Sequence, residues 1–395
     1  MKLTIFSQHF WPENFRINDL ADKLKSIGFK VNVFTAKPNY PVGIIPAKYK
    51  SFLPIKDNFR GIDIIRFPIV QRGNANFISL TMNYISFIVS STIFSFFYKK
   101  KFGNFFFVYA TSPILQAIPV VILRKLFNIK LVLWVQDLWP YNLSDTGYIK
   151  NSFFLKIIDC LVNKIYDSSD LILCQSEAFS KVIKKKTNSK IKILHNPSNY
   201  NFNFRPKQKK FFFDIYYTGN LGRGQNFGNI LKAFASKQVS NLNIRLIIFG
   251  SGKNFHEMKK EIKKMNSKNI ILQKAVSPER LKKIMFHADC FILKLNNGIG
   301  LSKTIPAKFQ TYLSFGKPII SINNGAVTQI IKKYKIGLYS RTEKTKDLIN
   351  ILLKSKKLSN NQLNKIAKNC EKLFMKKFEI NNTCKKLKKY LEELR

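Results

Sequence analysis

Short apolar runs alternate with amphipathic stretches along the whole chain. Uninterrupted apolar runs predict buried strands, and the amphipathic stretches between them predict helices. The runs are LTIFS (3–7), VNVFT (31–35), IDIIRF (62–67), FFFVYA (105–110), LVLWV (131–135), LILC (171–174), IKIL (191–194), FFFDIYYT (211–218), IRLIIFG (244–250), NIILQ (269–273), DCFILKL (289–295) and KPIISI (317–322). Strands that are apolar on both faces indicate parallel sheets covered by helices on both sides. The pattern therefore predicts an α/β protein with doubly wound sheets.

The segment HNPSNYNFNFRPKQKK (195–210) interrupts this alternation with asparagine, proline and charge. A chain of 395 residues is long enough for two domains of ordinary size. We predict an N-terminal domain over 1–198, a linker over 199–210, a C-terminal domain over 211–357, and helices over 358–395 that cross back to the first domain. Because ligands of such sheets bind at the carboxyl ends of the strands, we expect two of these edges to face one another across a cleft.

The stretch FISLTMNYISFIVSSTIFSFFY (77–98) stands apart, because its 22 residues carry no formal charge and three lysines follow it. Its length would suffice to span a bilayer. Its serines, threonines and asparagine, and its place between two strands of one sheet, argue against a span. We predict an aromatic-rich helix at the membrane surface, with Lys99, Lys100 and Lys101 at the lipid head groups. A spanning helix and an ordinary core helix are the alternatives.

The formal net charge of +46 favours anionic partners, such as nucleotide diphosphates, lipid head groups or nucleic acid. Part of this charge is background, since Lys, Asn, Ile and Phe are enriched together along the chain. No nucleic-acid recognition module is evident, so nucleic acid is not an expected partner. The amino terminus enters a strand at once and meets His9 too soon for the apolar region of a signal peptide, so we expect no export signal.

Two glycine-containing loops follow strands in the second half of the chain, in YYTGNLGRGQNF (216–227) and FGSGKNF (249–255). Glycine lets backbone N–H groups approach a phosphate closely. Neither loop has the spacing of a dinucleotide fingerprint or a P-loop, and a plain strand-to-helix turn is the alternative for both. The glycines concerned are Gly219, Gly222, Gly224, Gly250 and Gly252.

The segment TIPAKFQTYLSFGKPII (304–320) predicts a turn, a helix of about ten residues, a Gly-Lys-Pro break and a buried strand. Pro306 suits the start of a helix. Lys308 falls in the first helical turn, where the helix dipole disfavours a cation unless an anion lies in front of it. We therefore predict that Lys308 and Arg223 converge on one diphosphate and stabilise charge on a leaving group. A solvent-exposed lysine is the alternative.

Polar residues also follow two strands in the first half of the chain. Asp137 comes directly after an apolar strand, where catalytic or substrate-orienting groups of open sheets are found, although an Asx turn or helix cap is the alternative. Glu13, Asn14 and Arg16 follow the first strand and precede a helix. The sequence contains no Asp-x-Asp pair, which commonly holds the metal of a nucleotide sugar, so we expect no metal.

Taken together, the segments WPENFRINDLA, TSP, QDLWP, HNP, GNLGRGQNF, FGSG and IPAKFQTYLSFGKPII resemble glycosyltransferase family 4, in order and over nearly the whole chain. They are most similar to the bacterial subgroup that assembles O-antigen and capsule repeat units, including transferases of N-acetylfucosamine-type sugars. The resemblance implies the GT-B architecture of two Rossmann-like domains, a nucleotide-sugar donor in the cleft, and transfer with retention at the anomeric carbon, without metal or other cofactor.

The resemblance also implies roles for single residues. The P-x-K pattern of the family matches Pro306 and Lys308, which implies that Lys308 contacts the donor diphosphate. The glycine loop of the family matches Gly219 and Gly222. Its acidic residue after the fifth strand matches Asp137.

This sequence departs from the family at several positions. Many relatives carry two glutamates in an E-x7-E arrangement, the second of which holds the ribose, but Lys303 and Thr311 stand at these positions here. The Arg and Lys often found in the glycine loop are replaced, which leaves Arg223 as a displaced substitute. The candidate substrate-binding residues in these two regions are Asn220, Gln225, Gln310 and Thr311.

The reaction that we expect moves a sugar from a nucleotide diphosphate to a hydroxyl of a lipid-linked oligosaccharide. Retention without an evident enzyme nucleophile suggests front-face attack, in which the departing phosphate assists deprotonation of the acceptor. We expect a cytoplasmic protein that is peripheral on the inner face of the cytoplasmic membrane. A nucleotide-sugar 2-epimerase of the same architecture and a basic nucleic-acid-binding protein are the alternatives.

Overall fold

The computed structural model describes residues 1–111, 113–198, 200–206, 210–222, 227–252, 254–294 and 298–395. The chain forms two compact units, one of residues 1–197 with 380–395 and the other of residues 198–379. The second unit extends beyond the expected boundary at 357, because the helix that follows packs into its core through Cys370 and Phe374. Of the C-terminal helices, the last one alone belongs to the first unit.

The strands are β1 (Lys2–Ser7), β2 (Lys30–Ala36), β3 (Ile55–Phe59), β4 (Ile62–Phe67), β5 (Phe105–Ala110), β6 (Lys130–Val135), β7 (Leu171–Cys174), β8 (Ile191–Ile193), β9 (Phe213–Asn220), β10 (Ile244–Ser251), β11 (Ile270–Lys274), β12 (Cys290–Lys294), β13 (Ile319–Ile322) and β14 (Gly337–Ser340). The helices are α1 (Arg16–Ser26), α2 (Phe77–Ser95), α3 (Ile118–Phe127), α4 (Tyr141–Asp145), α5 (Ser152–Asp167), α6 (Glu177–Ile183), α7 (Gly228–Ala235), α8 (Lys237–Ser240), α9 (Phe255–Met265), α10 (Pro278–Met285), α11 (Ile299–Lys303), α12 (Ala307–Leu313), α13 (Ala326–Tyr334), α14 (Thr345–Lys356), α15 (Asn360–Lys377) and α16 (Ile380–Glu392). Short 3-10 helices are Ala47–Tyr49, Phe96–Lys101 and Ile114–Ala117.

The first unit is built on a sheet whose strand order is β3-β4-β2-β1-β5-β6-β7-β8. Its pairs are parallel except that β3 runs antiparallel to β4 at one edge. Helices cover both faces: α2, α3 and α5 bury Phe87, Val120 and Val162 on one side, and α1 and α16 bury Leu20 and Leu387 on the other. The predicted doubly wound arrangement is therefore present in this unit.

The second unit is built on a parallel sheet whose strand order is β11-β10-β9-β12-β13-β14. Helices α7 and α14 bury Leu231 and Leu352 on one face, and α12 and α15 bury Phe309 and Phe374 on the other. The helix predicted after Pro306 has seven residues rather than about ten. This sheet carries the segments in which the sequence predicted phosphate contacts.

The long apolar helix α2 has its polar and apolar sides reversed relative to an ordinary surface helix. The side that packs on the sheet includes Asn83, Ser91 and Ser95, which are buried. The outer side exposes large apolar residues, namely Phe77, Ile78, Met82, Ile85, Val89 and Ile93. By length and composition alone, residues 77–101 are long and apolar enough to cross a membrane. The helix nevertheless contributes Phe87 to the core, so one side belongs to the domain and the other faces outward.

Candidate functional site

The two glycine loops of the second unit meet side by side at the carboxyl edge of its sheet. β9 and β10 pair in parallel up to their ends, with Gly219 opposite Gly250 and Asn220 opposite Ser251. Beyond the strands, the Leu221 amide donates a hydrogen bond to the Ser251 carbonyl oxygen at 2.8 Å. The carboxyl ends of neighbouring parallel strands are where ligands of open α/β sheets bind.

The close approach of these loops explains two of the four glycines described here. A Cβ at Gly250 would lie 2.6 Å from the Gly219 carbonyl oxygen. A Cβ at Gly252, whose φ is +137°, would lie 2.8 Å from the Leu221 carbonyl oxygen. At Gly222 a Cβ would lie 3.2 Å from the Nδ2 atom of the flexible Asn220 side chain. The sequence interpretation assigned all of these glycines to phosphate, but Gly250 and Gly252 are needed for the packing of one loop on the other.

Lys308 extends from the first turn of α12 to this edge. The helix begins after Pro306, which is the extended N-cap residue. The Lys308 ammonium donates a hydrogen bond to the Tyr217 hydroxyl oxygen and lies 4.0 Å from the centre of the Tyr217 ring. A Cβ at Gly219 would be 3.3 Å from the Lys308 Nζ atom. The structure thus brings Lys308 and the predicted glycine loop into contact.

Lys308 has no acidic partner in the described part of the chain, because no described carboxylate oxygen lies within 4.0 Å of its Nζ atom. Burial lowers the pKa of the Lys308 ammonium from 10.5 to about 7, because the charged form loses hydration. An anion placed at this edge would favour the charged form again. The site is therefore suited to a phosphate or diphosphate group.

The other predicted residues on α12 differ in accessibility. Gln310 is fully buried, and the orientation that satisfies its amide lets the nitrogen donate to the Pro306 and Ala307 carbonyl oxygens at 2.8 Å. Gln310 thus shapes the start of the helix inside the domain. Thr311 is partly exposed, and its hydroxyl donates to the Ala307 carbonyl oxygen at 3.3 Å. Arg223 and Gln225 lie outside the described residues.

Glu13, a predicted substrate-binding residue of the first unit, is buried and bonded within the protein. Its carboxylate accepts hydrogen bonds from the backbone amides of Asn39 and Tyr40 at 2.8 and 2.7 Å. Its second oxygen lies 2.7 Å from the Nδ1 atom of His9. Through these hydrogen bonds Glu13 links the loop after β1 to the loop after β2.

The remaining predicted residues lie at the carboxyl edge of the first sheet. Asn14 is exposed, and Arg16 begins α1. Asp137, after β6, accepts a hydrogen bond from the Asn142 side chain at 2.9 Å. Burial raises the pKa of Tyr109. The positive charge of Arg16 lowers the same pKa, and the negative charge of Asp137 raises it. Arg16 and Asp137 therefore both lie within electrostatic range of one buried tyrosine.

Sequence reasoning missed two groups of residues at these edges. Tyr217 was treated as part of an apolar run, although two adjacent tyrosines in a buried strand are a usable signal. Burial raises the pKa of Tyr84, the charge of Arg72 lowers it and the charge of Asp137 raises it, so both charged residues lie within electrostatic range of this phenol. No local pattern in the sequence connects Tyr84 with Arg72.

Comparison with known proteins gives a consistent result. Residues 200–372 match the family model described as Glycosyl transferases group 1. The uncharacterized glycosyltransferase MJ1059 of Methanocaldococcus jannaschii is 26% identical over 223 residues, which cover 52% of this chain and 52% of that protein. This chain spans about half the length of the curated relatives that it matches. The region that the family model matches, residues 200–372, contains both glycine loops and Lys308.

Solved structures match the whole chain at low sequence identity. Sucrose-phosphate synthase from Thermosynechococcus elongatus has a TM-score of 0.73 at 13% identity, covering 100% of this chain and 98% of that one. HepE of Anabaena, in complex with UDP and glucose, has a TM-score of 0.68 at 11% identity and covers 100% of both chains. The predicted fold, GT-B with two Rossmann-like domains, is confirmed by these neighbours.

Proposed function

We propose that this protein is a retaining glycosyltransferase that moves a sugar from a nucleotide diphosphate to a lipid-linked oligosaccharide, in the synthesis of a bacterial surface polysaccharide such as O-antigen or capsule. The proposal of a nucleotide-diphosphate donor rests on Lys308. This cation lies at the end of the paired glycine loops and has no described acidic partner. The family model over residues 200–372 and the UDP bound to HepE, which has the same fold, support this assignment. The motifs that resemble the O-antigen and capsule subgroup support the acceptor half.

In the proposed reaction, the bond between the anomeric carbon and the phosphate oxygen breaks, and its electron pair goes to that oxygen. The acceptor hydroxyl attacks from the face that the phosphate leaves, and the departing phosphate takes the hydroxyl proton. Negative charge therefore grows on the leaving group, where a positioned ammonium stabilises it. Lys308 supplies this charge, and the packed loops hold the diphosphate in place.

The donor half is tested by calorimetric titration of UDP, GDP and ADP, followed by a transfer assay with the matching nucleotide sugars and a membrane lipid extract. We expect one diphosphate to bind, and Lys308→Ala to weaken that binding at least tenfold. The matched control is Lys332→Ala, an exposed lysine on α13 of the same domain, which should bind like the wild type. Interconversion of the free nucleotide sugar without an acceptor would instead identify an epimerase.

A lipid-linked acceptor requires the protein to work at a membrane, and the reversed sides of α2 support this. Exposed large apolar side chains cost free energy in water, so a surface of this kind indicates an apolar partner. Lys99 and Lys100, which follow the helix and are exposed, suit anionic head groups, whereas Lys101 of the predicted basic segment is paired with Asp63. Exposed apolar residues on α3 and α5, on the same side of the sheet, extend the surface; they are Ile122, Leu126, Phe153 and Phe154.

We propose that this surface lies on the inner face of the cytoplasmic membrane without crossing it. Both ends of α2 connect to strands of one sheet, β4 and β5, and Phe87 packs in the core beneath. A spanning helix would have to leave that core. In the interfacial arrangement the buried side of α2 stays packed on the domain, and its outer side contacts the lipid.

Sedimentation with vesicles containing anionic lipid tests the membrane contact. We expect binding that weakens at high salt, because salt screens the lysines, and that falls at least tenfold when Ile85 and Val89 are both changed to Glu. The control is Ile27→Glu, an exposed isoleucine at the end of α1 on the opposite face of the sheet. Retention through salt and carbonate washes would indicate a spanning segment, and no binding at any salt would contradict membrane contact.

A further inference from the structure

Tyr217 lies between Lys308 and the first glycine loop, and none of the assignments above gives it a role. It is near the end of β9, its side chain is 0% exposed, and its ring packs edge-on against Phe227 at 4.8 Å. Burial raises the pKa of its phenol, which stays protonated. Tyr217 is therefore a neutral side chain with a fixed position.

The Tyr217 hydroxyl has one hydrogen, and the geometry directs it. The Asn220 carbonyl oxygen, at the start of the glycine loop, lies 3.0 Å away and accepts this hydrogen. The lone pairs of the same oxygen are then available to the Lys308 ammonium, which donates to it. One phenol oxygen thus connects the ammonium with the loop backbone.

The ring and the hydroxyl contribute separately to holding Lys308. The ammonium is 4.0 Å from the ring centre, within the range of a cation–π contact. A phenylalanine at this position would keep the ring and lose the oxygen. The two contributions can therefore be separated by removing one atom.

We propose that Tyr217 is the positioning residue of the donor site, and that its hydroxyl fixes the Lys308 ammonium against the glycine loop so that the diphosphate meets a cation held in place. This inference rests on the proposed donor-binding function. A lysine side chain has four flexible carbons and a strongly hydrated head, so without an acceptor it would spread over several rotamers. Each of them would lose alignment with the leaving group.

The test compares Tyr217→Phe with Tyr216→Phe. Tyr216 is the neighbouring tyrosine on β9, is also buried, and packs on the opposite face of the sheet at 6.0 Å from the ring of Phe249. Using the diphosphate that the wild type binds most tightly, we expect Tyr217→Phe to weaken binding about tenfold and to lower turnover by a similar factor. Tyr216→Phe should stay within twofold of the wild type.

A double-mutant cycle separates positioning from a general structural role. If Tyr217 acts through Lys308, removal of the hydroxyl changes diphosphate affinity in the wild type and has no further effect in the Lys308→Met protein. A loss of the same size in both backgrounds would overturn the inference. The parent nucleoside, which lacks phosphate, should bind equally to the wild type and Tyr217→Phe.

Failure of the inference is distinguishable from failure of the proposed function. Wild-type binding by Tyr217→Phe together with lost binding by Lys308→Met overturns the role of Tyr217 alone. Equal binding by the wild type and Lys308→Met overturns the donor role of Lys308 and this inference with it. If Tyr217→Phe does not fold, 3-fluorotyrosine at position 217 reports on the pair in the folded protein. Its 19F signal should move on Lys308→Met substitution and on diphosphate binding, and an unmoved signal would overturn the inference.

Discussion

The cations at the amino edge of the second sheet and Lys308 at its carboxyl edge have different partners. At the amino edge, the Lys210 ammonium lies 3.1 Å from an Asp214 oxygen and 2.9 Å from an Asp289 oxygen, and the Arg245 guanidinium lies 2.8 Å from Asp214. At the carboxyl edge, the described residues give Lys308 a phenol and an aromatic ring but no carboxylate. Lys294, which ends β12 at the same carboxyl edge, is paired with Glu343, so among these cations it is Lys308 that has no described carboxylate partner.

This difference separates a structural network from a binding site within one domain. A buried cation with an acidic partner is compensated in the folded state, and removing one partner leaves a costly charge. A buried cation without such a partner lowers stability until an anion arrives. We therefore propose that the amino-edge ion pairs serve stability and that Lys308 contacts the donor.

The largest expected effect is on catalysis at the carboxyl edge. Lys308→Ala should lower turnover by about two to three powers of ten, by analogy with the loss of a well-placed donor to a developing oxyanion. It should lower thermal stability little or not at all, because the lost ammonium is poorly hydrated in the folded protein. Steady-state kinetics and thermal unfolding of the purified variant measure both quantities. Turnover near that of the wild type would make Lys308 a structural residue.

The converse effect is on stability at the amino edge. Asp214→Asn leaves Arg245 without its carboxylate partner and Lys210 with Asp289 alone, and we expect the free energy of unfolding to fall by about 2 kcal/mol. Turnover of the folded variant at 25 °C should stay within about twofold of the wild type. Urea unfolding and kinetics on the same preparation provide the comparison. Lost turnover with unchanged stability would reverse the assignment of the two edges.

Much of the fold follows from the sequence, because strands buried on both faces are unbroken apolar runs. Two strands escaped prediction for a physical reason. β3 (IKDNF) alternates polar and partly buried residues at a sheet edge, and β14 (GLYS) is short and half-buried at the other sheet's edge. Edge strands lack the second buried face that makes an apolar run visible.

The candidate site was predictable in part. Lys308 and Arg223 were expected to converge at the carboxyl edge of one sheet; Arg223 lies outside the described residues, and the structure places Lys308 beside Gly219 of the same loop. The role of Tyr217 was not predictable, since an apolar run does not tell which strand residue the Lys308 ammonium reaches at the end of β9. The reversed sides of α2 were also hidden, because its sequence does not specify which side meets the sheet.

The stability of the protein should depend on pH through Lys308. Burial lowers its pKa from 10.5 to about 7, so the unfolded chain binds more protons between these values, and the free energy of unfolding rises with pH there. Between pH 7 and pH 9 the wild type should gain about 2 kcal/mol relative to Lys308→Met. Urea unfolding of both proteins at both pH values measures this difference. Parallel pH profiles would show that the ammonium is hydrated.

The smallest expected effect is that of chelation, which should leave turnover unchanged. Excess EDTA removes a divalent cation, but the sequence has no Asp-x-Asp pair, and within the described ranges no group of three His, Cys, Asp or Glu side chains is placed to hold a metal. The buried acids Asp214, in β9, and Asp289, directly before β12, already form ion pairs with Lys210 at the amino edge. Lys308 then stabilises the negative charge of the departing diphosphate. The measurement is turnover of desalted protein with EDTA, before and after addition of Mg²⁺ or Mn²⁺. Activity that is lost and then restored by either ion would show that a metal carries this charge, and the contrast between the two edges would no longer identify the donor site.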